Sequence, residues 1–237
     1  MKDKVVVITG ASSGIGRATA LALAKLGARL GLAARNYPAL MEVTDEARRL
    51  GGQAIAVPTD VTQKDQVADL VSEVLATFGR IDGLVNCAGV GVIRPIEQLT
   101  EEDIDRTYAV NTKGVILVSQ AVGAAMLKVG GGRIVTPVGT MGRYVMRGSA
   151  AYSASKWGAA GALKAMATEW QRNGIGISLL YLGGVNSPFW DSIEMKVQRD
   201  KMLSVDDAAQ AVVLALQAPA NGILNELVLQ PESHQFI

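Results

Sequence analysis

Two side chains with complementary acid–base chemistry stand four residues apart in this 237-residue chain. Tyr152 and Lys156, in "YSASK", lie on the same face of any helix that contains them both. A phenol has a pKa of about 10, which is too high for easy proton exchange at neutral pH. A nearby ammonium favours the phenolate, so the tyrosine can serve as a general acid to a carbonyl or a general base to an alcohol. The alternative is an ordinary amphipathic pair, because this spacing also occurs by chance.

A glycine-rich segment at the start of the chain predicts a phosphate-binding site. "VVVITGASSGIG" has the pattern of a strand, a turn with Gly10, Gly14 and Gly16, and the first turn of a helix. Glycine allows positive φ and lets backbone amides approach a phosphate, and a helix N-terminus attracts its negative charge. The alternative is a tight turn that binds nothing. The position after the first strand of an alternating chain favours a ligand.

Short β-branched runs alternate with longer alanine-rich segments of helical period, and these elements must position the residues above. Continuously apolar strands that alternate with helices are typical of a mostly parallel sheet covered on both faces. The sequence therefore predicts a doubly wound α/β fold with a seven-stranded sheet, and residues 1–237 contain no repeat or linker that would divide this single domain. The predicted strands are 5–9, 29–33, 53–58, 83–86, 133–136, 177–182 and 226–230. The predicted helices are 15–27, 38–50, 64–78, 101–127, 151–172 and 205–217.

Composition excludes several classes of partner. The 23 basic and 22 acidic residues are interspersed and give a net charge of +1, which predicts neither a nucleic-acid surface nor an anionic-membrane surface. Cys87 is the only cysteine, so an intramolecular disulfide is excluded and a reducing compartment is favoured. The most apolar helix candidate, 114–127, falls short of the roughly 20 residues that span a bilayer. We expect a cytoplasmic protein without a metal or membrane partner, with His234, the sole histidine, at the surface.

Four motifs together resemble the short-chain dehydrogenase/reductase family. They are the GxxxGxG spacing of residues 10–16, "NCAG" (86–89), "NTKG" (111–114) and "YSASK" (152–156), in that family's order and spacing. The resemblance covers essentially the whole chain. It implies a Rossmann-like, NAD(P)-binding domain and an oxidoreductase that transfers hydride between the nicotinamide and a carbonyl or secondary alcohol of a small substrate.

The charge of the side chain that follows the second predicted strand discriminates between NAD and NADP. An NAD site usually has an acid about 20 residues after the glycines, which bonds the ribose 2′-hydroxyl. Here no Asp or Glu occurs between Gly16 and Glu42, and Arg35 stands at that position. A guanidinium suits a 2′-phosphate, so the sequence predicts NADP(H) in preference to NAD(H). A solvated surface arginine is the alternative.

The resemblance also implies roles for individual residues. Lys156 would hold the nicotinamide ribose, and Asn111 would mark a helix kink where a backbone carbonyl holds a water for proton relay. Asp60 and Val61 would flank the adenine, although a helix cap is a common role for such an Asp. The cofactor-binding residues predicted in all are Gly10, Ser12, Ser13, Gly14, Ile15, Gly16, Arg35, Asp60, Val61, Asn86, Ala88, Gly89, Tyr152, Lys156, Val185 and Ser187.

The family's catalytic serine has no direct counterpart in this chain. By resemblance it lies thirteen residues before the tyrosine, where the sequence has Gly139. Pro137 cannot donate to a strand ladder, so the strand is predicted to bulge or end there, which would bring Thr140 into the serine's role. The alternative is that Thr140 only faces the loop. The chain would then be a catalytically impaired, dinucleotide-binding sensor or scaffold, a hypothesis also favoured by Leu182 where the family has proline.

Two later segments are predicted to shape the substrate site and an oligomer. Residues 189–203 form the expected substrate lid, in which Phe189, Trp190 and Met195 line an apolar pocket; a plain amphipathic helix is the alternative. The Ala- and Gly-rich helix at 150–170 permits close helix approach, and in the family it pairs across a dimer axis. We expect a homodimer or homotetramer, with burial of this helix within a monomer as the alternative.

Overall fold

Seven strands form one sheet in the computed structural model, which describes residues 1–219, 221–233 and 235 and therefore leaves His234 outside the described residues. The strands are β1 (Val5–Thr9), β2 (Arg29–Ala34), β3 (Gln53–Pro58), β4 (Gly83–Asn86), β5 (Gly132–Pro137), β6 (Ile175–Leu182) and β7 (Glu226–Leu229). Their order is β3-β2-β1-β4-β5-β6-β7, and every neighbouring pair is parallel. The predicted doubly wound α/β sheet is confirmed.

Alternation along the central strand supplies apolar side chains to both faces of the sheet. All five residues of β1 are buried. Because successive side chains point to opposite faces, Val6 and Ile8 join one apolar cluster while Val5 and Val7 join the other. A strand covered on both sides therefore has an unbroken apolar sequence.

Helices cover both faces of the sheet. They are α1 (Gly14–Lys25), α2 (Tyr37–Arg49), α3 (Lys64–Phe78), α4 (Glu101–Tyr108), α5 (Val115–Lys128), α6 (Ala150–Trp170) and α7 (Val205–Leu216). One apolar cluster contains residues of α1, α2 and α7, and the other contains residues of α3, α5 and α6. Local chemistry fixes the start of α2, where the Ala39 amide donates to Asn36 Oδ1 at 3.2 Å and Pro38 occupies the first turn.

The helix predicted over 101–127 is continuous but irregular. A π-helical turn, Ala109–Gly114, joins α4 to α5 and contains Asn111. A π turn inserts one extra residue into the helix, at the position where the family resemblance implies a local kink. The whole run, Glu101–Lys128, is long and apolar enough to cross a membrane by length and composition, but half of its most apolar window is buried within the fold, as in a core helix.

The strand order reverses between β1 and β4. Ligands of such sheets bind beyond the carboxyl ends of the strands at this switch point. The two strand ends are tied together there, because the Ala88 amide donates to Thr9 Oγ1 at 3.2 Å. The glycine-rich turn after β1 and the "NCAG" segment after β4 consequently lie side by side.

Candidate active site

A cavity of about 730 Å³ opens at the carboxyl ends of the strands. Its size is in the range of cofactor and small-molecule sites. The wall contains these predicted residues: Gly10, Ser12, Ser13, Gly14, Ile15, Gly16, Arg35, Asp60, Val61, Ala88, Gly89, Thr140, Tyr152, Lys156, Val185 and Ser187. Asn86 and Asn111 lie outside this wall. The cavity thus brings together segments that are far apart in sequence.

The turn after β1 can be built only with glycine at its contact points. Gly10 has φ of +64°, and a Cβ added there would lie 2.7 Å from the Ala88 nitrogen. A Cβ on Gly16 would lie 2.3 Å from the Gly10 oxygen. Ser13 is the N-cap of α1, and its hydroxyl makes no capping hydrogen bond. The amides of the first turn of α1 therefore remain available to a ligand in the cavity.

Arg35 follows β2, is exposed and lines the cavity. Within the described part of the chain, no carboxylate lies within ion-pair distance of its guanidinium. Arg17 on α1, in contrast, pairs with Glu46. An uncompensated cation therefore stands at the end of β2.

Asp60 lines the cavity and stabilises its own loop. Its Oδ1 accepts hydrogen bonds from the Thr62 amide at 2.9 Å and the Thr62 hydroxyl at 2.8 Å. The helix-cap alternative for Asp60 is wrong, because the N-cap of α3 is Gln63. Val61 is buried against Gly114 of the π turn, where an added Cβ would lie 2.7 Å from its Cγ2. The bonds to Thr62 fix one carboxylate oxygen and leave the other without a hydrogen bond to the described residues.

The family resemblance implies that the backbone of Asn86 runs along the cofactor ribose, and the Asn86 side chain lies behind the cavity wall. Its Nδ2 donates to Ser119 Oγ at 3.0 Å and Thr136 Oγ1 at 3.1 Å, so the side chain joins β4 to α5 and β5. Cys87, the next residue, lines the cavity instead. Burial raises the pKa of its thiol to about 12, which keeps it protonated and unreactive.

Asn111 is fully buried and holds two segments around the π turn. Its Oδ1 accepts from the Val90 amide and its Nδ2 donates to the Val90 carbonyl, both at 2.9 Å. The same Nδ2 donates to Ser155 Oγ at 3.0 Å, and Ser155 donates in turn to the Tyr152 carbonyl at 2.7 Å. Sequence reasoning missed Ser155 although it lies within "YSASK", and missed Val90 because no local pattern marks a partner 21 residues from Asn111.

Tyr152 and Lys156 lie on one face of α6, with the ammonium nitrogen 5.6 Å from the centre of the tyrosine ring. The sequence predicts that this ammonium lowers the pKa of the phenol. Burial acts against this effect and raises the pKa of Tyr152. Burial also lowers the pKa of Lys156 to about 8, although the thiol of Cys87 acts in the other direction. Desolvation is therefore the stronger effect on both groups.

The strand β5 ends at Pro137, as predicted, and a bulge follows directly after it. The amides of Val138 and Gly139 both donate to the Leu180 carbonyl, at 3.0 and 3.2 Å, so two residues oppose one. Gly139 has φ of +74° and ψ of 161°, a conformation that is essentially restricted to glycine. A Cβ added there would lie 4.0 Å from the Tyr152 hydroxyl. The position next to the phenol is thus occupied by a backbone that excludes serine.

Thr140, the next residue, begins a 3₁₀ turn, Thr140–Gly142, and lines the cavity. Only 6% of the residue is exposed. Among residues 1–219, 221–233 and 235, its hydroxyl has no hydrogen-bond partner. The bulge therefore places one unbonded hydroxyl in the same cavity as Tyr152.

The predicted lid consists of short 3₁₀ turns, Pro188–Ser192 and Arg199–Lys201, so the amphipathic-helix alternative is wrong. Phe189 and Trp190 line the cavity, whereas Met195 is 36% exposed and lies outside the wall. Ser187 faces the glycine turn, since a Cβ on Gly14 would lie 3.5 Å from its Cβ. Three further wall residues, Ile93, Met141 and Met146, carried no signal in the sequence.

Comparison with known proteins identifies the family of the chain. The family model described as short chain dehydrogenase matches residues 4–198. The chain belongs to the short-chain dehydrogenase family. One relative of this short-chain dehydrogenase is the D-threitol dehydrogenase of Mycolicibacterium smegmatis, 37% identical over 233 residues that cover 93% of this chain and 88% of that protein.

Solved structures similar to this short-chain dehydrogenase contain either dinucleotide. The alcohol dehydrogenase of Thermococcus sibiricus, complexed with 5-hydroxy-NADP, has a TM-score of 0.91 and 29% identity, with 99% of both chains covered. The 3-ketoacyl-(acyl-carrier-protein) reductase of Brucella melitensis, complexed with NADH, has a TM-score of 0.89 and 27% identity, with 97% of both chains covered. Family membership supports an enzyme that acts on CH–OH or C=O groups with a nicotinamide dinucleotide.

In the described part of the chain, no three His, Cys, Asp or Glu side chains cluster as metal ligands.

Proposed function

We propose that this short-chain dehydrogenase transfers hydride between NADP(H) and the carbonyl or secondary alcohol of a small organic substrate. The observation that carries the proposal is one cavity that contains Tyr152, Lys156 and Thr140 together with the glycine turn and Arg35. When bound, the nicotinamide supplies the hydride chemistry, and its oxidised ring adds a positive charge that favours the Tyr152 phenolate.

Dinucleotide binding is assigned to the ends of the first strands. The uncapped amides of α1 would bind the pyrophosphate. Arg35, which has no competing carboxylate in the described part of the chain, would make charge-assisted hydrogen bonds to a 2′-phosphate. Asp60 and Val61 would border the adenine, and Ala88, Gly89, Val185 and Ser187 the riboses and the nicotinamide.

Proton transfer is assigned to Tyr152. Burial raises the pKa of its phenol, so it stays protonated at neutral pH and is ready to protonate a carbonyl oxygen as that oxygen gains charge. Thr140 would orient the same oxygen through its unbonded hydroxyl. Asn111, held by Val90 and Ser155, would position the π turn for proton relay toward Lys156.

A second candidate function is supported by the backbone at Gly139. If Thr140 does not replace the serine that this backbone excludes, the chain is a dinucleotide-binding sensor or scaffold. The deciding experiment measures NADPH oxidation against a panel of ketones and aldehydes, with NADPH binding followed by fluorescence. We expect turnover by the wild type and a loss of at least about 10²-fold in Tyr152→Phe with binding retained. Equal inertness of both proteins, with NADPH still bound, would establish the sensor hypothesis instead.

We also propose a single-domain, cytoplasmic homodimer or homotetramer that associates through α6. Trp157 on this helix is 52% exposed, and Ala154, one turn earlier on the same face, is exposed as well. A large apolar side chain beside a small one suits close helix approach. Light scattering should show an oligomer for the wild type and a smaller species for Trp157→Lys. A wild-type monomer would contradict the proposal.

A further inference from the structure

Charge is distributed unevenly around the cavity. Of the residues described as lining it, only Arg35, Asp60 and Lys156 carry charged side chains. Arg35 and Asp60 follow β2 and β3, which lie on the opposite side of β1 from β5 and β6. The wall residues at and beyond the ends of β4, β5 and β6 form the other side, which includes Tyr152 and the apolar residues Ile93, Pro137, Met141, Met146, Phe189 and Trp190. Apart from the catalytic groups and Ser187, that side offers apolar side chains and backbone.

The cations nearest in sequence to this apolar side do not reach it. Arg94 pairs with Asp103 at 3.1 Å, and Arg143 pairs with Glu226 at 3.6 Å while lying over the Tyr181 ring. Arg147 is exposed and outside the cavity wall. A carboxylate or phosphate bound beside Tyr152 would therefore lack a counter-charge other than Lys156.

Phe189 closes this side by filling a notch at Gly91. A Cβ added to Gly91 would lie 2.2 Å from Phe189 Cζ, so the ring occupies the space of any larger residue there. Gly91 does not have positive φ, so its backbone would accept alanine without strain. The ring also lies 5.6 Å from the Tyr152 ring at an angle of 47°. Trp190 also packs against the Phe189 ring, edge-on at 5.3 Å, and its own Nε1 donates to the Val185 carbonyl at 2.9 Å.

We infer that the substrate is an uncharged ketone or aldehyde, or the corresponding alcohol, with hydrocarbon substituents, and that Phe189, seated in the Gly91 notch, sets the space available beside Tyr152. The inference rests on the proposed function and narrows it to a substrate class. An unpaired charge moved from water into this wall carries a desolvation cost, whereas hydrocarbon gains from burial. The uncharged substrate must therefore react with the higher kcat/KM.

The first test compares two ketones of equal length and reactivity, 2-heptanone and 6-oxoheptanoate, which differ only in a terminal methyl or carboxylate. With NADPH, we expect kcat/KM to be at least about 10²-fold higher for 2-heptanone. Equal or reversed values, or a preference for dihydroxyacetone over 2-heptanone, overturn the inference and leave the proposed function intact. Failure to reduce any carbonyl while NADPH binds overturns the proposed function, and the inference with it.

The second test is a double-mutant cycle on Phe189 and Gly91, read as the ratio of kcat/KM for acetophenone to that for 2-butanone. Phe189→Ala should raise the ratio by about 10-fold or more, because space opens beside Tyr152. Gly91→Ala should change the ratio in the wild type but leave it nearly unchanged in Phe189→Ala, since no ring remains to be displaced. Gly161→Ala, where an added Cβ meets nothing within 4 Å, is the matched control. An unchanged ratio in Phe189→Ala, or additive effects in the cycle, would overturn the role of Phe189.

Discussion

The ammonium nitrogen of Lys156 lies 5.6 Å from the centre of the Tyr152 ring, yet the two groups respond more to burial than to each other. Burial raises the pKa of the phenol and lowers that of the amine to about 8. Both side chains are thereby pushed toward their neutral forms. Lys156 changes charge close to physiological pH, which suits a residue that exchanges protons with its surroundings.

The lowered pKa of Lys156 predicts a pH-dependent stability. Since an unfolded lysine has a pKa of 10.5, the unfolded chain binds more protons than the folded one between pH 8 and 10.5, and the free energy of unfolding rises with pH in that window. The gain is at most about 1.4 kcal/mol per pH unit. Cys87 titrates in the opposite sense above pH 9, so the comparison belongs in a Cys87→Ala background. Urea denaturation from pH 7 to 10 should show Lys156 gaining stability relative to Lys156→Met, and a constant difference would contradict this.

Thr140 is predicted to act through its hydroxyl. Thr140→Val keeps the shape of the side chain but removes the donor, so kcat should fall by about 10²–10³-fold while NADPH affinity is unchanged. Thr140→Ser retains the hydroxyl and serves as the matched control, with most of the activity kept. Wild-type turnover by Thr140→Val would mean that the bulge after β5 has no catalytic role.

Gly139→Ser is predicted to destabilise the protein, although it restores the serine that the family has at this position. Any Cβ at φ of +74° and ψ of 161° is strained, so the variant should lose about 1–3 kcal/mol of unfolding free energy. Gly139→Ala should lose a similar amount, because the strain arises from the Cβ and not from the hydroxyl. Denaturation of the two variants checks this, and a serine variant that is both stable and faster would refute it.

Arg35 is predicted to select the phosphorylated dinucleotide. Arg35→Gln should raise the Kd of NADPH by about 10–100-fold, the value of a charge-assisted bond, and leave that of NADH nearly unchanged. Arg17→Gln is the control, because Arg17 pairs with Glu46 and should alter neither Kd. Fluorescence titration measures both constants, and equal weakening of NADPH and NADH binding would argue against a 2′-phosphate contact.

Most of the fold could be predicted because its signals are local. The apolar runs and glycine turns place all seven strands within about two residues of their observed ends, and Pro137 marks the bulge through its missing amide. Contacts between segments that are distant in sequence could not be predicted from such local signals. Neither the placement of Asn86 behind the cavity wall nor the bonds of Asn111 to Val90 follow from spacing. The effect of burial on the pKa of Tyr152 could not be predicted, because burial of a side chain depends on tertiary packing that its neighbours in sequence do not reveal.

The aromatic ring of Phe189 fills the Gly91 notch and lies 5.6 Å from the ring of Tyr152, the proposed proton donor. One side chain therefore both limits the space in the cavity and packs against the catalytic acid. Any mutation that enlarges the cavity by trimming this ring also removes an aromatic neighbour of the phenol. Acceptance of bulkier substrates would then require a compensating change around Tyr152. Substrate range and the rate of proton transfer are therefore coupled through one residue.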